Sequence, residues 1–220
     1  MIKSIFPLGL NLMNKKVCAN DDFIDQLLTG WILANQRYVE LLGKKDCCWW
    51  YNERTNVSVL AGAAWSLGWA AIEEYPSDKR KKGCLEEDTG TSRGRVDIYI
   101  TNKHDDVAIE AKHAWYNLDN IVSGNDAFIC KMNKASDDAK CLKEQANRHF
   151  AATFVVFHTK NNSQELIAEE HIEQLIHSSI SARIKENISY AYVIDSQFIF
   201  QNINKRYYPS VAIILEEIKK

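Results

Sequence analysis

Two neighbouring apolar segments carry charged side chains where a buried strand would favour valine. The segments are GRVDIYIT, which contains Asp97, and DVAIEAKHA, which contains Glu110 and Lys112. Apolar and polar residues alternate along both segments, as they do in β-strands that have one face buried. Two carboxylates and a lysine on paired strands are residue types that can hold a divalent metal ion and assist ester hydrolysis.

A four-residue hairpin loop at 102–105 sets the register of the two strands. Thr101 then pairs with Asp106, and the same register places Asp97 directly opposite Glu110. The Cβ atoms of directly opposed residues on one face are about 5 Å apart. Two carboxylates that close together repel each other, so this register requires a positive charge between or beside them.

Lys112 follows Glu110 by two residues and therefore lies on the same face of the strand. One interpretation is that Lys112 and Arg95 neutralise the two carboxylates on a solvent-facing sheet surface. The other is that Mg²⁺ or Mn²⁺ bridges Asp97 and Glu110, with the carbonyl oxygen of Ala111 as a further ligand. Lys112 would then orient or deprotonate the attacking water, or neutralise charge in a transition state.

A third carboxylate is predicted to point at the same sheet. Glu53 lies at the start of a helix, in line with an apolar stripe at three- and four-residue spacing, which comprises Val57, Leu60, Ala61 and Ala64. A carboxylate in line with a buried stripe faces the sheet rather than water. The alternative is that Glu53 only interacts favourably with the positive end of the helix dipole.

Three further features are weaker candidates. Glu73 and Glu74 alternate on a predicted strand, so one of them shares a face with the site. His113 is expected to point away from Lys112 and to pack. The aromatic cluster at 47–51 is expected to pack in a core or an interface, although stacking on nucleobases is the alternative.

The order of elements predicts an α/β sandwich with a central mixed sheet. The predicted helices are 21–43, 52–68, 132–149 and 164–184, and the predicted strands are 69–75, 94–101, 106–114, 151–158, 189–195 and 211–218. A three-strand meander followed by a helix that crosses to another strand implies helices packed against a mixed sheet. We predict a single domain, with an N-terminal helical extension (1–51), a core (52–158) and a C-terminal α/β extension (159–220).

Six cations are concentrated between 76 and 95, in the segment predicted to be a loop after Pro76. They are Lys79, Arg80, Lys81, Lys82, Arg93 and Arg95. Such a run is often only a solvated loop. Its place immediately before Asp97 favours a contact with the phosphates of a nucleic acid.

Taken together, these residues resemble the active-site motif of the PD-(D/E)xK, or restriction-endonuclease-like, nuclease superfamily. The segments NERTNVSVLAGAAWSLGWAAIEEY, GRVDIYI and VAIEAK look most like the core of archaeal Holliday-junction resolvases and restriction-type relatives. The resemblance covers about residues 52–158 and implies an αβββαβ core, in a three-layer sandwich. Val96 stands where the superfamily's name has proline.

By this resemblance, Glu53, Asp97, Glu110 and Lys112 take the active-site positions. The three carboxylates and the carbonyl of Ala111 would hold Mg²⁺ or Mn²⁺, and Lys112 would assist the water that hydrolyses a phosphodiester. The resemblance implies a DNA endonuclease of restriction, repair or prophage/defence type. Pairing of two copies is left open, because single-site nucleases that cut both strands tend to pair.

Two alternatives to a nuclease remain open. The first is a catalytically silent nuclease-fold module that binds nucleic acid or a protein partner. The second is an unrelated α/β protein in which the charges form a structural network.

Composition narrows the class of protein but not its function. The formal net charge is −2, with 46% hydrophobic and 25% charged residues, as in ordinary globular proteins. The six cysteines have neither zinc-site nor CxxC spacing. We find no signal peptide and no membrane-spanning stretch, and therefore expect reduced thiols and a cytoplasmic protein.

Overall fold

The computed structural model describes residues 13–17, 20–80, 91–142, 146–161, 169–181, 187–194, 201–202 and 204–219. Its helices are α1 (Asp22–Leu41), α2 (Glu53–Ser66), α3 (Ile121–Lys140) and α4 (Glu169–Ser181), with a short 3-10 helix at Cys48–Trp50. Its strands are β1 (Met13–Lys16), β2 (Ala70–Arg80), β3 (Thr91–Thr101), β4 (Asp106–Asn117), β5 (Arg148–Thr159), β6 (Ile188–Ile194) and β7 (Tyr207–Ile218).

The strands form one mixed sheet in the order β1-β6-β7-β5-β4-β3-β2. Strands β4 and β5 are parallel and are joined through α3, whereas the other neighbours are antiparallel. The predicted α/β class and mixed sheet are confirmed. From Asn52 onward the elements follow the predicted order of helix, three strands, helix and strand. The division into extensions and a core stays a prediction.

Helices cover both faces of the sheet. On one face, Phe154 of β5 packs in a core to which α1 and α2 contribute. On the opposite face, its neighbour Val155 packs with Phe128 of α3 and Ile172 of α4. Successive residues of a strand point to opposite faces, so the unbroken apolar run from Phe154 to Phe157 in β5 requires helices on both sides.

Helix α2 begins and ends where the sequence predicts. The side chain of Asn52 accepts a hydrogen bond from the backbone N–H of Thr55 at 3.0 Å, which caps the first turn. Gly68 follows the last turn with a φ of +77°, a conformation that glycine adopts without steric cost. These two signals fix the position of Glu53 as the first helical residue.

The predicted helix at 132–149 is wrong at both ends. Helix α3 covers Ile121–Lys140, and the side chain of Asn120 caps it by accepting from the N–H of Ser123. Leu142 and Ala146 continue the apolar spacing and are buried, but they lie beyond the end of the helix. The periodicity therefore described residues packed on one face, not residues in one helix.

The prediction that Pro76 ends the first strand of the meander is also wrong. Strand β2 continues through Pro76 to Arg80 and pairs with β3 along this length. Proline is tolerated there because β2 is the edge of the sheet, where its missing N–H leaves no ladder partner unsatisfied. Lys79 and Arg80 thus lie on a strand, whereas Lys81 and Lys82 lie outside the described residues.

Two smaller differences concern strand β1 and helix α4. Strand β1 was not predicted, and helix α4 is described only for Glu169–Ser181 of the predicted 164–184. None of the helices in the described part of the chain is long and apolar enough to cross a membrane.

Candidate active site

Asp97 lies where β3 changes the face that its side chains cover. Ile98 packs on the α1–α2 side of the sheet, whereas Val96 packs on the α3 side. On the paired strand β2, Glu74 has a φ of +53°. Glu74 and Asp97 face each other between two regular pairs, Glu73 with Ile98 and Tyr75 with Val96. The alternation of apolar and polar residues in GRVDIYIT predicts that Val96 and Ile98 share one face. This prediction is wrong, because the irregular pair of Glu74 and Asp97 interrupts the alternation of both strands.

The hairpin register is the predicted one up to the candidate site. Thr101 pairs with Asp106, and the ladder between β3 and β4 extends to Ile98 and Ile109. One residue further along, the Oδ2 atom of Asp97 accepts a hydrogen bond from the N–H of Ala111 at 2.7 Å. The carboxylate of Asp97 therefore takes the place of a backbone partner at the point where the two strands separate.

Glu110 is the most deeply buried carboxylate of the site. Its side chain is 3% exposed, and the Nζ atom of Lys79 donates to its Oε1 at 2.6 Å. The pKa of Glu110 is raised to about 7, chiefly by burial and also by the charge of Asp97, against the opposing effect of Lys79 and Lys112. The interpretation of a solvent-facing surface is wrong for Glu110, and the cation that contacts it is Lys79.

Lys112 is held between acidic groups and a carbonyl. Its Nζ donates to the backbone oxygen of Ala111 at 2.8 Å and lies 3.1 Å from Asp138 Oδ2 and 4.0 Å from Asp97 Oδ2. Burial alone would lower the pKa of Lys112, but Asp97, Asp138 and Glu53 together raise it above its ordinary value. Lys112 is therefore a charged ammonium at neutral pH.

Glu53 reaches the sheet, as the apolar stripe of α2 predicts. Its Oε2 accepts a hydrogen bond from the backbone N–H of His113 at 2.9 Å. Strand β4 pairs with β5 through Asn117, but its pairing with β3 stops at Ile109. The carboxylates of Asp97 and Glu53 thus accept hydrogen bonds from the N–H groups of Ala111 and His113, on the edge of β4 with which β3 no longer pairs.

Four carboxylates line a cleft of about 330 Å³ beside this edge, which we call the acidic cleft. They are Glu53, Glu73, Glu74 and Asp97. Ser58 donates to Glu73, and Arg54 and Arg95 pair with Glu74. Arg95 thus neutralises Glu74 rather than Asp97.

The donor atoms of the site match a hard divalent cation, but the side chains do not surround an ion. Among the residues that the structure describes, no group of three or more His, Cys, Asp or Glu side chains is arranged to hold a metal. Lys79 donates a hydrogen bond to Glu110, and Lys112 donates one to the carbonyl oxygen of Ala111. The carboxylate and carbonyl oxygens fit Mg²⁺ or Mn²⁺ by type, and binding requires these two lysines to move.

Only some of the residues that were predicted to contact nucleic acid lie at the site. Lys79 points into it, Arg95 lies at the acidic cleft, and the side chain of Arg93 is exposed. Arg80 is placed on β2, and nothing is described of its side chain. The structure thus splits the predicted basic loop between two paired strands.

Sequence reasoning missed Asp138, and it missed the ion pair of Lys79 with Glu110. Asp138 lies beside the buried residues Ala135 and Ala139 of α3, so an acid in line with a buried stripe was a usable signal. Lys79 was predicted only as a contact for nucleic acid, because Pro76 suggested that the strand had already ended before it. Asp138 and the contact between Lys79 and Glu110 are therefore additions to the predicted site.

Comparison with known proteins gives no assignment. No protein-family model, no curated protein and no solved structure matches this chain.

Proposed function

We propose that the protein is a metal-dependent nuclease that hydrolyses phosphodiester bonds of DNA, built on a restriction-endonuclease-like core. One observation carries the proposal. Asp97, Glu110 and Lys112 meet where β3 separates from β4, and Glu53 reaches the same strand edge from α2. Endonuclease action in restriction, repair or phage defence is the role that this site supports best.

Mg²⁺ or Mn²⁺, when bound, would stabilise the charge that develops on the phosphate and activate a water molecule. Asp97, Glu110 and the carbonyl of Ala111 would hold the ion, with Glu53 as a further carboxylate at the same strand edge. For Glu110 to bind the ion, Lys79 would have to leave it, and the charge of Lys79 would then be available to a phosphate.

Lys112 acts as a cation in this proposal rather than as a base. Its raised pKa keeps the ammonium charged at neutral pH. Asp138 and the carbonyl of Ala111 orient it beside Asp97. A charged donor fixed in this position can stabilise negative charge on a phosphoryl oxygen.

A catalytically silent module that binds DNA is the second candidate. The 2.6 Å ion pair between Lys79 and Glu110 favours it, because a lysine in place of a metal ion neutralises the buried carboxylate. Under this candidate the protein binds DNA, and no metal ion produces turnover.

The two candidates are separated by incubating the protein with supercoiled plasmid, linear duplex and branched DNA. Each substrate is tested with Mg²⁺, Mn²⁺ or EDTA, and binding is measured in parallel by gel shift. Cleavage with Mg²⁺ or Mn²⁺ that EDTA abolishes is the expected result. Binding of any of the three DNAs without cleavage under both metals would favour the silent module instead.

A further inference from the structure

A second cleft adjoins the acidic cleft and has a different character. It has a volume of about 370 Å³, and Tyr51, His113, Trp115 and Lys131 are among the residues that line it. We call it the aromatic cleft. Glu53 lines both clefts, so the two share a wall at the start of α2.

The aromatic cleft presents ring surfaces to solvent. Trp115 is 38% exposed and Tyr51 is 42% exposed, although large aromatic residues are ordinarily mostly buried. Within the aromatic cluster, Trp49 is fully buried in the core, whereas Tyr51 is exposed on this chain. These exposed rings lie next to the edge of β4 that carries the candidate active site.

Both rings are held in place from behind. The centroid of Trp115 lies 4.4 Å from that of His113 and 5.7 Å from that of Tyr208. Tyr51 packs on Trp50 at 4.5 Å, and its hydroxyl donates to Asp46 at 2.7 Å. A planar ligand would therefore meet aromatic surfaces that lose little conformational freedom when it binds.

The cleft also offers a positive charge. Lys131 of α3 lies in its wall, and no ion pair of Lys131 falls within the described residues. His113 is 7% exposed and its Nε2 is buried without a hydrogen-bond partner in the described part of the chain, so His113 supports Trp115 from behind rather than contacting a ligand. A ring surface with a nearby cation matches the chemistry of a nucleotide.

We propose that the aromatic cleft binds an unpaired nucleobase of the DNA substrate, stacked on Trp115, with Lys131 near its phosphate. The choice of DNA rests on the proposed function, whereas the stacking chemistry rests on the cleft itself. A base that is stacked and paired inside a duplex has no free face on which Trp115 could stack. The proposal therefore narrows the substrate class to single-stranded DNA or DNA with an unpaired end or branch.

The test measures binding in EDTA, so that it does not depend on hydrolysis. Fluorescence anisotropy gives the Kd of a labelled single-stranded 12-mer and of the blunt duplex of the same sequence. We expect Trp115→Ala to weaken single-strand binding about tenfold or more, Trp115→Phe to retain most of it, and duplex binding to change less than about twofold. Trp65→Ala is the matched control, since Trp65 is 59% exposed on α2 and outside the cleft.

Wild-type single-strand affinity in Trp115→Ala, or an equal loss for both DNAs, would overturn the proposal. The proposal would also be overturned if a free deoxynucleoside monophosphate displaced the labelled strand at a lower concentration than the unlabelled strand does. Should Trp115→Ala not fold, an abasic site moved along the 12-mer tests the wild-type protein, and one position must weaken binding about fivefold. Trp115-dependent binding without cleavage under any metal would support the aromatic cleft and contradict the nuclease.

Discussion

Glu110 combines deep burial with one close cation, so its charge depends on pH near neutrality. Burial raises the pKa of Glu110 from 4.5 to about 7 in the folded chain. The folded state then holds the proton more tightly than the unfolded state, and the free energy of unfolding falls as the pH rises from about 4.5 to about 7.

We expect Glu110→Gln to remove this pH dependence. Between pH 5 and pH 8 the wild-type protein should lose about 2 to 3 kcal/mol more stability than the variant. Urea unfolding at both pH values measures the difference, and Glu40→Gln, an exposed carboxylate on α1, is the control. Parallel pH profiles for wild type and Glu110→Gln would show that burial does not perturb this carboxylate.

Lys79 competes with a metal ion for Glu110 in the proposed site. Removing its charge should therefore tighten binding of Mn²⁺ about tenfold or more at a pH high enough to ionise Glu110, whose pKa rises further once Lys79 no longer lowers it. Isothermal titration of Lys79→Met and of the exposed-lysine control Lys16→Met measures this. An unchanged or weaker affinity in Lys79→Met would mean that the ion pair does not occupy a metal position.

At the residue scale, the sequence predicted which residues lie together at the site better than it predicted their ion-pair partners. The hairpin register is the predicted one from Thr101–Asp106 to Ile98–Ile109, because it follows from local geometry, whereas strand alternation fails at Asp97. The ion pair of Lys79 with Glu110 depends on the path of β2 past Pro76. A pairing that spans 31 positions along the chain leaves no local pattern in the sequence.

At the scale of elements, two glycines near the end of α2 make a matched pair. Gly62 lies inside the helix, whereas Gly68 has a φ of +77°, and an added Cβ would meet nothing within 4 Å at either position. Space is therefore equal at both positions, and only the backbone conformation differs.

Gly62→Ala should raise the free energy of unfolding by about 0.5 to 1 kcal/mol, because alanine favours the helix. Gly68→Ala should lower it by about 1 kcal/mol, because a side chain is strained at positive φ. Thermal and urea unfolding of the two variants measure both values. Changes of the same sign would contradict this account of how α2 ends.

Elements with caps or strict alternation were predictable, and elements without them were not. Asn52 and Gly68 delimit α2, and alternation delimits the hairpin. The start of α3 was missed because its cap, Asn120, lies outside the apolar periodicity that defined the prediction. Gly124 gave no signal in the sequence, because the close approach that favours glycine there, 2.9 Å from an added Cβ to Tyr116, exists only in the folded chain.

At the scale of the whole molecule, Arg148 joins three distant segments. It contacts Asp21, which caps α1, Asp105 of the hairpin loop at 3.1 Å, and Glu217 of β7 at 2.7 Å. The side chain of Arg148 is 21% exposed, and its guanidinium neutralises all three carboxylates. The hairpin that carries Asp97 is thereby fixed to both ends of the described chain.

Arg148→Met should lower the free energy of unfolding by about 3 kcal/mol, since it leaves three carboxylates without their common partner. Arg148→Lys should recover only part of the loss, because lysine cannot donate to three partners in a fixed plane. Urea unfolding measures both, with the exposed Arg37→Met as control. A loss in Arg148→Met no larger than that in Arg37→Met would contradict the clamp.

The class of fold was predictable, but the order of its strands was not. Strands β5, β6 and β7 are apolar on both faces, and such segments carry no signal for which neighbour they join. Strand β7 lies between β5 and β6, so the sheet order of the C-terminal part depends on contacts that only the folded chain makes. Asp97, Glu110 and Lys112 escape this limit because they lie on a local hairpin, whereas Lys79 and Asp138 reach the site from other elements.

The central claim is that Asp97 and its neighbours hydrolyse phosphodiesters with a bound metal ion. The most direct measurement is the rate of DNA cleavage in Mn²⁺ by wild type, Asp97→Asn and the control Glu40→Gln. Asp97→Asn keeps an oxygen that can accept from the N–H of Ala111, so the fold should survive. We predict wild-type rates for Glu40→Gln and a loss of about a hundredfold or more for Asp97→Asn. Cleavage by Asp97→Asn at the wild-type rate, or equal wild-type cleavage in EDTA, would contradict the claim.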